Sequence, residues 1–300
     1  MDYLGIVKKA FQITIKHRYL WIFGILAGGI SGGIRGLNIS LPNNSTLNGD
    51  KFDQTLMNKF PDFSNFWTNY WGIILGIIVV LIFLGLIMVI ISIVAQGALL
   101  GSIEAIEKKQ TNNFWNGVGF GFRKFWSVLG VGLIFSLIVI LSLAMLIVPI
   151  ILFVMAKIWV LAIIYGLLIC LVDLVLWIFM GIISPFTLRL AVLGNLGVWG
   201  AIRNSWPFFI KNWKEIVVIL LITWAIGLAI GIGFIMIFLL VGGLLFGIGF
   251  AIYLVSMTAL YFYAGIFGLA FLVFILILGG IVNTFISSIY TLVYLELYRK

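Results

Sequence analysis

The sequence predicts an all-α integral membrane protein: a bundle of six transmembrane helices with amphipathic interfacial helices on the cytoplasmic side. Apolar residues make up 64% of the 300 residues and charged residues only 9%, whereas a soluble domain carries about 25% charged residues. Several apolar runs reach the length of about 20 residues that a membrane-spanning helix needs. The basic residues lie at the ends of these runs. We therefore expect residues 1–300 to form a single membrane domain.

The order of the elements follows from hydropathy and helical spacing. Residues 1–18 predict an amphipathic helix, because Leu4, Val7, Phe11 and Ile15 recur at its spacing. A short apolar run then leads into a polar segment, 35–69, which we expect to be an extracytoplasmic loop. The later spans are predicted at 70–100, 127–156, 158–183 and 215–240, with a tight turn at Lys157.

The apolar tail, 241–298, is too long for one spanning helix. Its 58 residues would extend about 87 Å as a helix, against a hydrocarbon core of about 30 Å. We predict breaks at Gly242–Gly243 and near Gly265–Gly268. These would leave a re-entrant or broken segment near 244–262 and a last span at about 265–296.

Two internal stretches, the end of the polar segment 101–126 and residues 195–214, predict further amphipathic helices. Each places aromatic residues at spacings of three and four, with basic residues on the other face. Such helices lie at membrane surfaces, where tryptophan and basic side chains meet lipid headgroups. The predicted interfacial residues are Trp115, Arg123, Lys124, Trp126, Trp199, Arg203, Trp206, Lys211, Trp213 and Lys214.

The distribution of basic residues predicts the orientation. Of the 18 Lys and Arg residues, all but four fall on one side of the predicted topology; the four are Arg35, Lys51, Lys59 and Lys157. By the positive-inside rule, the richer side is cytoplasmic. We expect a multi-pass protein of the plasma or inner membrane with both termini in the cytoplasm, which requires an even number of spans. Seven spans, with the C-terminus outside, is the alternative.

The same unit occurs three times along the chain: a basic aromatic helix, an ascending span and a descending span. The approximate copies are 1–100, 101–195 and 196–300. Repeats of this kind are common in membrane folds. Any apolar chain with basic flanks also gives a similar pattern, so chance similarity stays open beside a true threefold repeat.

Three polar residues lie inside predicted spans: Asp173, Asn283 and Gln96. A carboxylate at the bilayer centre costs at least about 2.5 kcal/mol, which makes Asp173 a candidate ion or proton site. The alternative is a structural carboxyl bonded to Asn283, Thr223 or Ser136 on neighbouring spans. Hydrogen bonds between helices, worth about 0.6 kcal/mol each, account for Gln96 and Asn283.

No catalytic apparatus, metal site or cofactor site is predicted. His17 is the one histidine and Cys170 the one cysteine, so neither a paired-histidine site nor a multi-thiolate metal site can form within the chain. Nucleic acid is excluded as a partner because the excess positive charge lies at the ends of apolar runs and not on a separate domain.

One segment carries a family resemblance. Arg189-Leu190-Ala191-Val192 leads into Ala201-Ile202-Arg203-Asn204-Ser205-Trp206, and then into Asn212-Trp213. This pattern resembles the membrane domain associated with bacterial and archaeal glycerophosphodiester phosphodiesterases. The resemblance implies a six-helix membrane fold with interfacial helices and a link to phospholipid or envelope metabolism. It does not imply the phosphodiesterase activity, which needs a soluble barrel that this chain has no room for.

Two classes of function follow. The first is a non-enzymatic membrane protein for lipid handling, envelope maintenance or scaffolding, with membrane lipids as partners and a protein partner or homo-oligomer left open. The alternative is a transporter or channel that uses Asp173. An intramembrane enzyme ranks third, because no nucleophile–base or metal-ligand spacing is found.

Overall fold

The computed structural model of the chain describes residues 1–31 and 63–299. Over these residues the backbone is helical apart from short turns, which confirms the all-α class. The nine described helices are α1 (Tyr3–Lys16), α2 (Tyr19–Ser31), α3 (Phe63–Glu107), α4 (Phe114–Arg123), α5 (Phe125–Met155), α6 (Trp159–Val192), α7 (Gly197–Lys211), α8 (Trp213–Val255) and α9 (Met257–Arg299). The predicted loop at 35–69 lies outside the described residues, except for 63–69, which form the first turns of α3.

The described helices follow a repeating order of one short helix and two further apolar helices. The groups are α1–α2–α3, α4–α5–α6 and α7–α8–α9. Each short helix ends in a basic residue, and the next helix starts on an aromatic residue; the pairs are Lys16 and Tyr19, Arg123 and Phe125, and Lys211 and Trp213. This order is compatible with the predicted threefold repeat, which stays a prediction.

The short helices close a ring at one end of the molecule, which we call the hub. Each short helix packs on the last helix of the preceding group: α4 on α3, α7 on α6, and α1 on α9. The three last helices, α3, α6 and α9, also contact one another. The buried residues concentrate here, in a cluster that includes Ala10, Phe23, Leu99, Ile219 and Ile289. The hub is therefore the packed core of the protein.

Small residues let the hub helices approach closely. A methyl group added at Gly121 of α4 would lie 2.2 Å from the carbonyl oxygen of Val94 in α3. A methyl group at Gly24 of α2 would lie at the same distance from the carbonyl oxygen of Gly280 in α9. Close approach of this kind maximises van der Waals contact between membrane helices, for which lipid provides no hydrophobic driving force.

Two side chains of α9 connect α2 to the rest of the hub. Asn283 donates a hydrogen bond to the carbonyl oxygen of Gly24 at 2.9 Å, and Thr284 donates one to Leu20 at 3.0 Å. Both donors lie within apolar surroundings, where the alternative to a protein partner is an unsatisfied polar group. These bonds join residues from the two ends of the sequence.

Beyond the hub the long helices continue as apolar arms. The α5–α6 hairpin turns at Lys157, whose φ of 61° is left-handed, which confirms the predicted tight turn. The α8–α9 hairpin turns at Ser256, where the backbone is extended. Along the arms most large apolar side chains are exposed, including Phe83, Leu167 and Phe246.

Five described helices are long and apolar enough to cross a membrane: α3, α5, α6, α8 and α9. The described part of α2 is apolar but only 13 residues long. Since a span needs about 20 residues, the sixth predicted span lies only partly within the described residues.

The predicted breaks in the apolar tail are wrong in position. α8 runs without interruption through Gly242–Gly243, α9 runs through Gly265–Gly268, and the interruption falls at Ser256. The segment 244–262 is therefore the tip of a helical hairpin. Glycine weakens helices in water, but within apolar surroundings every backbone group must be hydrogen-bonded internally. That requirement keeps the helix intact at these glycines.

The amphipathic stretch predicted at 101–126 is also divided differently. α4 ends at Arg123 and a new helix starts at Phe125, so Phe125 and Trp126 do not share a helical face with Phe114. Lys124 forms the junction, with a backbone conformation outside the helical region. The bend lets α4 lie across the hub while α5 turns away into an arm.

Candidate functional site

The five predicted interfacial tryptophans are all exposed. Trp115, Trp126 and Trp199 expose 76–78% of their surface, and Trp206 and Trp213 about half. They lie on the short helices or at the first residues of the helices that follow. The faces that pack into the hub carry small residues instead, such as Gly117, Gly121 and Ala201. The five tryptophan rings lie outside these close contacts, whereas Phe114 of α4 packs into the hub and stacks on Phe23 with ring centres 4.9 Å apart.

The predicted basic residues surround these tryptophans. Arg123, Arg203, Lys211 and Lys214 are exposed, and Lys124 is half-buried. Lys214 places its ammonium group 5.9 Å from the centre of the Trp213 ring, within the range of a cation–π interaction. Lys124 donates a hydrogen bond to Asn195 in the α6–α7 turn.

Exposed apolar side chains extend this surface. On α1, Leu4, Phe11 and Ile15 are exposed while Ile6 and Ala10 pack into the hub. Of the face predicted to lie on the membrane, Leu4, Phe11 and Ile15 are thus exposed, whereas Val7 is half-buried against the hub. A row of exposed apolar and basic side chains along one helix is typical of a helix that lies at a lipid surface.

His17 lies in the turn between α1 and α2. Partial burial, and secondarily the neighbouring charge of Lys16, lower the pKa of its imidazole below the usual 6.5. Both effects disfavour the protonated form. The imidazole is therefore uncharged at neutral pH, and the positive charge of the segment comes from Lys16 and Arg18.

Sequence analysis did not predict that Arg189 is buried between two helices. It is only 3% exposed and joins α6 to α9. Its Nε donates to the Thr291 hydroxyl at 3.1 Å, Nη1 to the Pro185 carbonyl at 2.6 Å, and Nη2 to the Ser287 carbonyl at 3.1 Å. Its guanidinium also lies 5.4 Å from the centre of the Tyr290 ring. The only sign of this burial in the sequence was that Arg189 is a single basic residue between two leucines, Leu188 and Leu190.

Asp173 is buried in the α5–α6 hairpin, and its Oδ2 has no hydrogen-bond partner among the described residues. The structural partners predicted for it bond elsewhere. Asn283 donates to Gly24, Thr223 to Ile219 and Ser136 to Leu133. The hydrogen bonds that these three groups donate therefore do not go to Asp173, and the interpretation of Asp173 as a structural carboxyl stays a prediction.

Asp173 and Asn283 do not form one site. Arg189 contacts Ser287, so these two residues lie at the same depth. At about 1.5 Å per residue, Asp173 lies about 24 Å from Arg189 along α6, and Asn283 about 6 Å from Ser287 along α9. Asp173 thus lies in the arms, away from the hub, whereas Asn283 lies within the hub. Gln96, on α3, is half-buried.

Two adjoining cavities open at the end of the hub where α1, α3 and α9 meet. The first has a volume of about 300 Å³ and the second about 220 Å³, and Glu107 and Leu295 line both. The carboxylates that line them are Asp2, Glu104, Glu107 and Glu296. Sequence analysis missed this cluster because its members are far apart in the chain. The signal was that all four lie at helix ends predicted to be on the same side of the membrane.

Lysines neutralise part of this cluster. Lys9 pairs with Glu107 Oε1 at 2.8 Å and Lys108 with Glu104 Oε1 at 2.6 Å. Two buried oxygens in the same region, Glu107 Oε2 and the Tyr294 hydroxyl, have no hydrogen-bond partner within the described part of the chain.

The five spanning helices, joined through one packed hub, define a multi-pass α-helical membrane protein. The chain belongs to a family of unknown function, DUF7544, which matches residues 19–299. No curated protein and no solved structure matches the chain. Nothing in these comparisons links it to the membrane domain of glycerophosphodiester phosphodiesterases.

Proposed function

We propose that this protein is a non-enzymatic integral membrane protein that binds anionic lipid headgroups at the cytoplasmic surface, for lipid handling, envelope maintenance or scaffolding of a partner. In this proposal six helices cross the membrane, with α2 as the sixth span and both termini in the cytoplasm. The hub then lies at the cytoplasmic surface. The resemblance to a phosphodiesterase-associated membrane domain points to the same area of phospholipid metabolism.

The observation that carries this proposal is the exposure of tryptophans beside cations on the helices that surround the hub. Tryptophan rings favour the headgroup level of a bilayer, and each Lys or Arg near an anionic surface contributes about 1 kcal/mol. Trp199, Arg203 and Trp206 lie at helical spacings of four and three and are all exposed. An anionic headgroup beside this face would contact both aromatic and cationic groups.

The positions of the basic residues support the orientation. Arg123, Arg203 and Lys211 lie on the short helices of the hub, whereas Lys157 lies at the far tip of the α5–α6 hairpin. Under the positive-inside rule the hub would be the cytoplasmic end.

Changing Trp206 and Trp213 to alanine together should weaken binding of anionic lipid. We expect about a tenfold loss of phosphatidylglycerol retention, because loss of the two exposed rings removes about 1–2 kcal/mol of interfacial contact. Native mass spectrometry of the protein in mild detergent measures the retained lipid. Trp224→Ala is the matched control, since this ring is also exposed but lies 11 residues further along α8. Equal retention in the double variant and the control would contradict the proposal.

A transporter or channel that uses Asp173 is the second candidate. The observation in its favour is the buried carboxyl oxygen without a partner among the described residues. Trp177 and Ser142, which hydrogen-bond to each other at 3.2 Å, belong to the same hairpin.

Asp173→Asn should abolish proton or monovalent cation flux into liposomes if this residue is the transport site, because the amide cannot change its charge. Flux is measured with a pH-sensitive dye and with a sodium-sensitive dye. Ser142→Ala is the control for packing of the hairpin. Flux in Asp173→Asn equal to that of the unaltered protein would remove Asp173 from the mechanism.

A further inference from the structure

We propose that the two adjoining cavities of the hub form one binding site for an organic cation, recognised through an ammonium or guanidinium group. This inference goes beyond the proposed lipid function, because its ligand carries the opposite charge to an anionic headgroup. It depends on three features of the cavities: their charge, their unpaired oxygens and their aromatic rings.

The charge of the cavities is opposite to that of the chain. The protein has a formal net charge of +9 and only nine acidic residues. Four of those residues line the two cavities, together with two lysines, Lys9 and Lys108. The lining groups therefore carry a formal excess of two negative charges. A cation with two or more amino groups would neutralise that excess.

Two buried oxygens lack hydrogen-bond partners among the described residues. Tyr294 is 1% exposed and lines the second cavity, and its hydroxyl accepts and donates no hydrogen bond there. Glu107 lines both cavities. Its Oε1 pairs with Lys9, but its Oε2 also has no hydrogen-bond partner among the described residues. A buried polar group without a partner costs about 1–3 kcal/mol. An N–H donor that reaches either oxygen from the cavities would remove that cost.

Aromatic rings complete the site. Tyr294 stacks on Tyr298 with ring centres 5.5 Å apart, and both line the second cavity. Tyr294 is buried, so the ring face open to an ammonium or guanidinium group is that of the exposed Tyr298. Leu295, on the boundary of the two cavities, offers apolar contact to the carbon chain of the same ligand.

The chemistry of the lining favours an organic cation over a metal ion. Among the described residues no group of three or more His, Cys, Asp or Glu side chains is placed to hold a metal ion. The larger cavity, about 300 Å³, is at the lower end of the range of about 300–1,000 Å³ for ligand sites. It suits a small amine or one basic side chain. The cation can therefore come from a free polyamine or from a Lys or Arg side chain of another protein.

Binding of spermidine and of an N-acetylated ten-residue Lys/Arg peptide tests this site. The full chain is placed in nanodiscs of phosphatidylcholine, which carries no net charge, and each probe is titrated by calorimetry. We expect saturable binding that weakens as salt rises, because the attraction is electrostatic. Tighter binding of spermidine would identify a free amine as the ligand, and tighter binding of the peptide would identify a partner's side chain.

Three variants decide whether binding uses this site. Glu107→Gln should weaken the tighter probe about tenfold, and Tyr294→Phe, which removes only the hydroxyl, about threefold or more. Glu215→Gln is the matched control, because this glutamate lies at the start of α8, outside both cavities. If Glu107→Gln does not fold, Tyr294→Phe and Glu296→Gln replace it in the same comparison.

The results separate the two proposals of function. Absence of binding by both probes, or equal binding by the cavity variants and Glu215→Gln, would overturn the cation site. The lipid proposal would be unaffected, since it is tested with anionic lipid and with Trp206 and Trp213, which line neither cavity.

Discussion

Replacing Gly121 with alanine should destabilise the hub by about 1–3 kcal/mol, the usual cost of overpacking. The new methyl group would lie 2.2 Å from the Val94 carbonyl oxygen and 3.1 Å from the Ala98 nitrogen. Both are backbone atoms within α3, so neither can move without displacing that helix. α4 would have to shift away from α3, and the close packing around Gly97 would be lost.

Gly119 provides the control on the same helix. A methyl group at this position would have no neighbour within 4 Å. Since alanine favours a helix over glycine by about 1 kcal/mol, Gly119→Ala should leave stability unchanged or raise it slightly. Unfolding in mixed micelles of increasing dodecyl sulfate content, followed by circular dichroism, measures both variants. Equal stability of the two would show that α4 does not pack on α3 through Gly121.

Replacing Arg189 with lysine should cost about 2–4 kcal/mol. Lysine keeps the positive charge, so the charge balance across the membrane does not change. It lacks the planar fork that reaches Thr291, Pro185 and Ser287 from three nitrogens. Each hydrogen bond to a charged group contributes about 1.5–3 kcal/mol, and one ammonium group cannot replace all three in this geometry.

Arg203→Lys is the matched control for this substitution. Arg203 is an exposed arginine on α7, and exposed charges contribute little to stability. The same unfolding measurement should therefore place Arg203→Lys within about 0.5 kcal/mol of the unaltered protein. Similar losses in both variants would show that the contacts of Arg189 do not stabilise the hub.

The class of the fold and most of its spans could be predicted because hydropathy is a local property. The run before Lys157 and the run after it are each long and apolar, so the charge between them had to mark a turn. The same reasoning failed at Gly242–Gly243, where no charge accompanies the glycines. A glycine in an apolar run marks either a break or a close contact, and only the neighbouring helices decide between them.

The residues of the candidate sites could likewise be predicted from the sequence only in part. The exposure of Trp199 and Trp206 could be expected from their spacing beside Arg203. The burial of Arg189 could not, because its acceptors, Ser287 and Thr291, are about a hundred residues away in sequence. The acidic cavities likewise combine residues from the beginning, middle and end of the chain. Such sites depend on which helices meet, and hydropathy does not contain that information.

The packing of α2 on α9 also determines when the protein can finish folding during its synthesis. Leu20 and Gly24 receive their hydrogen bonds from Thr284 and Asn283, 264 and 259 residues later in the chain. At about 5–20 residues per second, a ribosome makes those partners some 13–50 seconds after α2 emerges. During that interval the first two helices have no α9 to pack against. A chain that stops before residue 280 would leave α2 packed on α3 alone, with the surface that α9 covers exposed in the membrane, where quality-control proteases could recognise it.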